Sequence, residues 1–139
     1  MPHAKIGTFR LTRFCLLSIT LTALTLSAAA AQWGDLLYTV EGSTEVTITG
    51  YAGTGGPLTL PPSIIGLPVT RIGDKAFFMR GEVTGTLTVP DSVISIGRQA
   101  FQGCVHLTGL TLGSGVREIQ SVAFAECPGL SGTLVIPDN

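Results

Sequence analysis

Two consecutive stretches decide the fold: TLTVPDSVISIGRQAFQGCVHLTG (Thr86–Gly109) and LTLGSGVREIQSVAFAECPGLSG (Leu110–Gly132). Laid over each other they match at Ile96/Ile119, Ala100/Ala123, Phe101/Phe124, Cys104/Cys127, Leu107/Leu130 and Gly109/Gly132, each pair 23 residues apart. The register extends both ways. Stepping back 24 residues from Ile96, Ala100, Phe101, Leu107 and Gly109 lands on Ile72, Ala76, Phe77, Val83 and Gly85, and Ser131–Asn139 (SGTLVIPDN) restates Thr84–Ser92 (TGTLTVPDS). An earlier strand, Leu58–Pro61, belongs to the same series, although its unit carries about five extra residues in SIIGLPV (Ser63–Val69). A period of 20–29 residues with recurring leucine-like positions predicts a leucine-rich-repeat type of solenoid, in which each unit buries its apolar face on its neighbours.

The columns of the repeat assign its walls. Leu58, Leu87, Leu110 and Leu134 stand two residues before Leu60, Val89, Leu112 and Ile136, so each pair shares the inward face of a short strand. Thr59, Thr86, Thr88, Thr111 and Val135 then point outward from a parallel sheet with rungs about 4.8 Å apart. Pro61, Pro90 and Pro137 end the strands, and Gly113 serves the bend in the third unit. A second inward run pairs Val69 with Ile72, Val93 with Ile96 and Val116 with Ile119. The segments AFFMR, AFQGC and AFAEC that follow predict a single helical or 3₁₀ turn per unit. The column Phe77, Phe101, Phe124 recurs beside an alanine at one phase, which fits a close-packed interior better than a ligand cage.

Ahead of the repeats, Met1–Ala31 combines a basic opening (Lys5, Arg10, Arg13), an apolar stretch from Phe14 to Leu26 and a small-residue run ending at Ala31, the pattern of a secretory signal cleaved before Gln32. The competing expectation is an uncleaved membrane anchor, because the stretch approaches spanning length. Cys15 lacks the preceding small residues of a lipidation site. Residues 32–56 predict an N-terminal β-hairpin cap, with Leu36, Tyr38, Val40, Val46 and Ile48 alternating around EGST (Glu41–Thr44), followed by a glycine-rich linker, YAGTGGP (Tyr51–Pro57). Residues 57–139 are the repeats, the last of them incomplete. TLVIPDN (Thr133–Asn139) supplies a strand with nothing after it to cover the Phe124 turn, so the sequence predicts self-association through this open end, or fraying from Glu126 onward.

Charge and residue chemistry narrow the functions. Three of the eight Lys and Arg lie in the leader, leaving five against nine Asp and Glu and a net charge of about −4 on the remainder. With no basic stripe and no aromatic platform, a nucleic-acid partner is disfavoured. No membrane span is expected after Ala31. GTGG lacks the following helix and lysine of a phosphate cradle. His106, alone after the leader, has no companion at metal-ligand spacing, so no metal or cofactor is expected. No Ser or Cys near His106 stands in a catalytic order, and no carboxylate pair shares a phase of the repeat on adjacent units. Cys104 and Cys127 sit one rung apart, close enough for a disulfide in an exported chain; stacked side chains point in parallel, however, which favours two buried thiols.

The phrases VPDSVISIGRQAFQGCVHL and LPPSIIGLPVTRIGDKAF resemble the BspA-like leucine-rich repeats of bacterial secreted and surface proteins, whose units read I-P-x-S-V-x-x-I-G-x-x-A-F-x-x-C-x-x-L. The resemblance covers about Leu36–Asn139, including the cap-like YTVEGSTEVTITGYAGTGGPLTLPP, and breaks in the third unit, where GSGV replaces PDSV and Gln120 replaces the usual glycine. It implies a right-handed solenoid of short parallel strands. It also implies an extracellular, non-enzymatic protein-binding or adhesion module, secreted or at the cell surface, with a protein or cell-surface ligand. Thr59, Thr86, Thr88 and Thr111 form the candidate binding face. The alternatives are a structural spacer or a fragment of a longer repeat protein without activity of its own, and ice or mineral binding through Thr59, Thr88 and Thr111.

Overall fold

A computed structural model describes residues 30–131; the leader as far as Ala29 and the strand expected at Leu134–Pro137 lie outside the described residues. Within that span the alternating apolar positions form ten strands: β1 (Ala31–Trp33), β2 (Leu36–Glu41), β3 (Glu45–Tyr51), β4 (Gly56–Thr59), β5 (Ser63–Ile64), β6 (Leu67–Ile72), β7 (Val83–Val89), β8 (Ser95–Ile96), β9 (Leu107–Leu112) and β10 (Glu118–Ile119). They make two walls. One runs β1-β2-β3-β6-β8-β10, with β5 paired on β6; the other runs β4-β7-β9. All pairings between successive repeats are parallel, as a solenoid requires: Ile72, Ile96 and Ile119 align in one wall, and Leu58, Leu87 and Leu110 in the other.

The expected inward columns meet between the walls. Leu58, Leu60, Leu87, Val89, Val69, Ile72, Val93, Ile96 and Val116 are buried in one core, with Leu110, Leu112 and Ile119 packed partly buried against it. Phe77 and Phe101 stack with ring centroids 4.7 Å apart and planes 9° from parallel. Phe101 and Phe124 stack at 5.3 Å and 2°. Tyr51 extends this spine: it is the last residue of β3 rather than the first of a linker, it is buried, and its ring lies 5.6 Å from Phe77.

The hairpin expected over Asp35–Gly50 is β2–β3, antiparallel from Leu36↔Tyr51 to Glu41↔Glu45, with Thr44 N–H donating to Glu41 O at 3.2 Å. Its second strand joins the repeat wall through Val46↔Val69 and Ile48↔Ile72. Val40, expected inward, is 41% exposed, because it lies opposite Val46 on the strand farther from the stack. The extra residues of SIIGLPV fold as a second hairpin: β5 pairs β6 through Ile64↔Leu67 around Ile65 and Gly66, both at positive φ (51° and 81°). A further irregularity is the β7–β9 register shift at Gly85/Thr86, where Gly85 pairs with Leu107 and Thr86 with Gly109, with Gly85 at φ 70°.

The expected helical turn is corrected. No helix occurs among the described residues, and the Ala-Phe segments are stacked turns. Ala76, Phe78 and Arg80 N–H donate three residues back, to Gly73, Lys75 and Phe77 carbonyls. The intervening Lys75, Phe77 and Met79 donate instead across to Arg98, Ala100 and Gln102 of the next unit, at 3.0, 2.7 and 2.8 Å. Every second amide is thus used to stitch units together, and left-handed φ values at Lys75 and Met79 (both 58°) turn those amides outward from any helical path. The same alternation recurs at Gln99, Phe101 and Gly103.

Candidate functional site

The candidate face is the outer surface of the β4-β7-β9 wall. Its inner residues, Leu58/Leu87/Leu110, are fixed by the core, and the pleat sends the alternate positions to the opposite side. Thr59, Thr88 and Thr111 are direct register partners across the three strands, so their side chains form one continuous column. Thr59 and Thr111 are exposed and Thr88 is half-buried between them. Thr86 is exposed too but stands outside the column: its partner is Gly109, where an added β-carbon would lie 2.7 Å from Thr86 Oγ1. The structure therefore brings three of the four predicted threonines into a ladder and leaves the fourth beside a glycine. Chemically this is a flat, uncharged row of hydroxyls and methyls, able to donate and accept hydrogen bonds.

The cysteines, His106 and three of the carboxylates lie elsewhere, each hydrogen-bonded within the chain. Cys104 and Cys127 are free and buried, and each thiol donates to the carbonyl of the phenylalanine one unit earlier: Cys104 Sγ to Phe77 O at 3.2 Å and Cys127 Sγ to Phe101 O at 3.1 Å. Burial, reinforced by the neighbouring Cys127, pushes the Cys104 thiol up to about 12; burial raises Cys127 also. Both stay protonated and are poor nucleophiles at neutral pH. His106 is exposed, and its Nδ1 lies 2.6 Å from Gly81 O. Carboxylates serve as inter-unit staples. Asp74 Oδ1 accepts from Arg98 N–H at 2.9 Å, Asp91 Oδ1 from Ser114 N–H at 2.7 Å and its hydroxyl at 3.1 Å, and Glu126 Oε1 from Gln102 Nε2 at 2.8 Å. Among the described residues no three His, Cys, Asp or Glu side chains gather to hold a metal ion, and no helix is long and apolar enough to cross a membrane.

Comparison with known proteins gives a consistent picture. The family described as BspA type leucine rich repeat region (6 copies) matches residues 65–139. No curated protein matches the chain. Among solved structures, the T. pallidum leucine rich repeat protein superposes with a TM-score of 0.71 at 34% identity, covering 78% of this chain and 50% of that one. A leucine-rich repeat protein from Bacteroides capillosus does so with 0.65 at 36% identity, covering 73% and 78%. A leucine rich cell surface protein from Faecalibacterium prausnitzii gives 0.66 at 29% identity, covering 76% and 30%. The chain thus spans half the length of the T. pallidum protein it matches.

Proposed function

The chain belongs to the BspA-type leucine-rich-repeat family, and from that premise we propose that it is a non-enzymatic protein-binding or adhesion module, exported to the cell surface or beyond, with the outer β4-β7-β9 face as its contact surface. The observation that carries this reading is the in-register column Thr59, Thr88 and Thr111 on a rigid parallel sheet. Rigid scaffolds lose little entropy on association, and short hydroxyl side chains add little more, so modest hydrogen-bond energies survive as affinity. The description of the F. prausnitzii neighbour as a cell surface protein and the leader-like Met1–Ala31 both favour export, with Gln32 as the first residue after processing.

The test compares the full chain with a Thr59→Arg/Thr111→Arg variant, both at exposed positions, as immobilised baits for purified extracellular-matrix and bacterial surface proteins. Loss of capture by the variant at unchanged melting temperature supports the face. Equal capture by both removes it. Amino-terminal sequencing of secreted material should begin at Gln32, and recovery of the chain in membranes with Met1–Ala31 attached would favour the anchor instead.

A further inference from the structure

The first Ala-Phe turn departs from its successors on the outside. Where the later units carry Gln102-Gly103-Cys104 and Ala125-Glu126-Cys127, it carries Phe78-Met79-Arg80. Phe78 is 38% exposed and Met79 59% exposed. Met79 holds a left-handed φ of 58°, a conformation that glycine adopts without strain and that glycine does occupy at the equivalent Gly103. The third unit places Glu126 in the same conformation (φ 58°), and Met79 Sδ lies against Gly103 of the next unit, so the fold accepts a side chain here; what sets the first unit apart is that both of its outward residues are large and apolar.

That pair forms one side of a groove of about 400 Å³, whose other side is the β2–β3 hairpin with Leu37 and Tyr51. Lys75 and Arg80 also line it, and no Asp or Glu does. Lys75 Nζ stands 5.7 Å over the Phe78 ring. The ion pair Arg80–Glu82, at 3.2 Å, is the one found among the described residues, so Lys75 has no carboxylate partner there. Two of the five cations in the described residues therefore line this groove, Arg80 paired with Glu82 and Lys75 not, on a surface where carboxylates outnumber cations eight to five.

We propose that this groove is a docking site for a short acidic peptide segment of a partner protein. A leucine or phenylalanine enters between Met79 and Leu37, and a flanking carboxylate pairs with Lys75, while Arg80 keeps Glu82. Met79 supplies an adaptable apolar wall, and the ordered hairpin keeps the opposite wall in place. The site is distinct from the threonine face, and the two stand or fall separately.

The experiment titrates the isotope-labelled full chain with a synthetic peptide of alternating glutamate and leucine, following backbone amide shifts. Saturable shifts confined to Gly50–Tyr51 and Lys75–Arg80 are expected, with a Kd of about 10–100 μM. Replacing the peptide's glutamates by glutamine should weaken binding about tenfold. Phe78→Gln/Met79→Gly, which copies the second unit, should do the same without lowering the melting temperature, and Lys75→Glu, at an exposed side chain, gives an independent charge reversal. Thr111→Arg should leave the titration unchanged. The proposal is overturned by absence of shifts at about 1 mM peptide, by undiminished binding of Phe78→Gln/Met79→Gly or Lys75→Glu, by equal binding of the glutamine peptide, or by dodecanoate shifting these amides where the peptide does not.

Discussion

Truncating Phe101 is the sharpest probe of the stacked interior. Its ring is fully buried and lies between two others, at 4.7 Å from Phe77 and 5.3 Å from Phe124, with all three planes within 9° of their neighbours. Phe101→Ala removes that ring from a site whose floor and ceiling are held by inter-unit hydrogen bonds, Phe77 N–H to Ala100 O and Phe101 N–H to Ala123 O, so the walls collapse poorly into the void. Poor collapse places the loss in the range of about 3–5 kcal/mol for Phe→Ala, against about 5–15 kcal/mol of total stability for a domain of this size. The melting temperature should fall by about 15–30 °C. Thr111→Ala, at an exposed position of the outer wall, should change stability by less than about 0.5 kcal/mol. Phe124, half-buried, should give an intermediate loss. Calorimetric or circular-dichroism melts of the purified chain read all three. Equal losses at Phe101 and Thr111, or a larger loss at Phe124 than at Phe101, would refute the assignment of the spine as the core.

Raising pH should destabilise the fold between about 9 and 12, because burial lifts the Cys104 thiol from 9.0 to about 12, so the contribution of its protonated form is present below the unfolded value and lost as pH climbs through the folded one; Cys104→Ala should flatten that part of a denaturant-midpoint profile. Gly115→Ser, which restores the residue found at Ser92 in the preceding unit, should nevertheless destabilise by about 1–3 kcal/mol, since a β-carbon at Gly115 would run into the Asp91 carbonyl; a neutral or raised melting temperature would contradict the close approach. Ile65→Asn should stabilise by about 1 kcal/mol, because Ile65 is a β-branched residue at φ 51° in a two-residue hairpin loop before Gly66, 62% exposed, where Asn-Gly is preferred. A lower urea midpoint for that variant would show that the Ile65 side chain packs in solution.

What the sequence made legible is whatever recurs at one phase. Phe77, Phe101 and the alanines beside them are buried because each unit faces the same neighbour, and that sameness is visible as a period. Features made once are not visible in this way. Tyr51 joins the spine from 26 residues before Phe77, outside the repeat spacing, and a glycine-rich neighbourhood disguised it as linker. The helical-turn expectation failed for a related reason: the positive-φ positions Lys75, Gln99 and Val122 share a phase, but none carries a glycine or asparagine to announce it. Only the exchange of amides between neighbouring units, which no single unit contains, makes a ladder of turns better than a helix there.

The same logic separates the two candidate contact surfaces. The threonine column was readable because it repeats, yet repetition also means that its exposed hydroxyls carry no information distinguishing one rung from the next. A linear array of this kind can be contacted at any register, which suits weak, extended association and gives little selectivity. The Phe78-Met79 groove has the opposite character. It exists at one unit only, it joins apolar surface to two cations, and its far wall comes from the hairpin, which no repeat supplies. In a solenoid whose units are otherwise interchangeable, discrimination between partners has to be located where the units differ, and the junction of the hairpin with the first turn is the place where they differ most in size and charge.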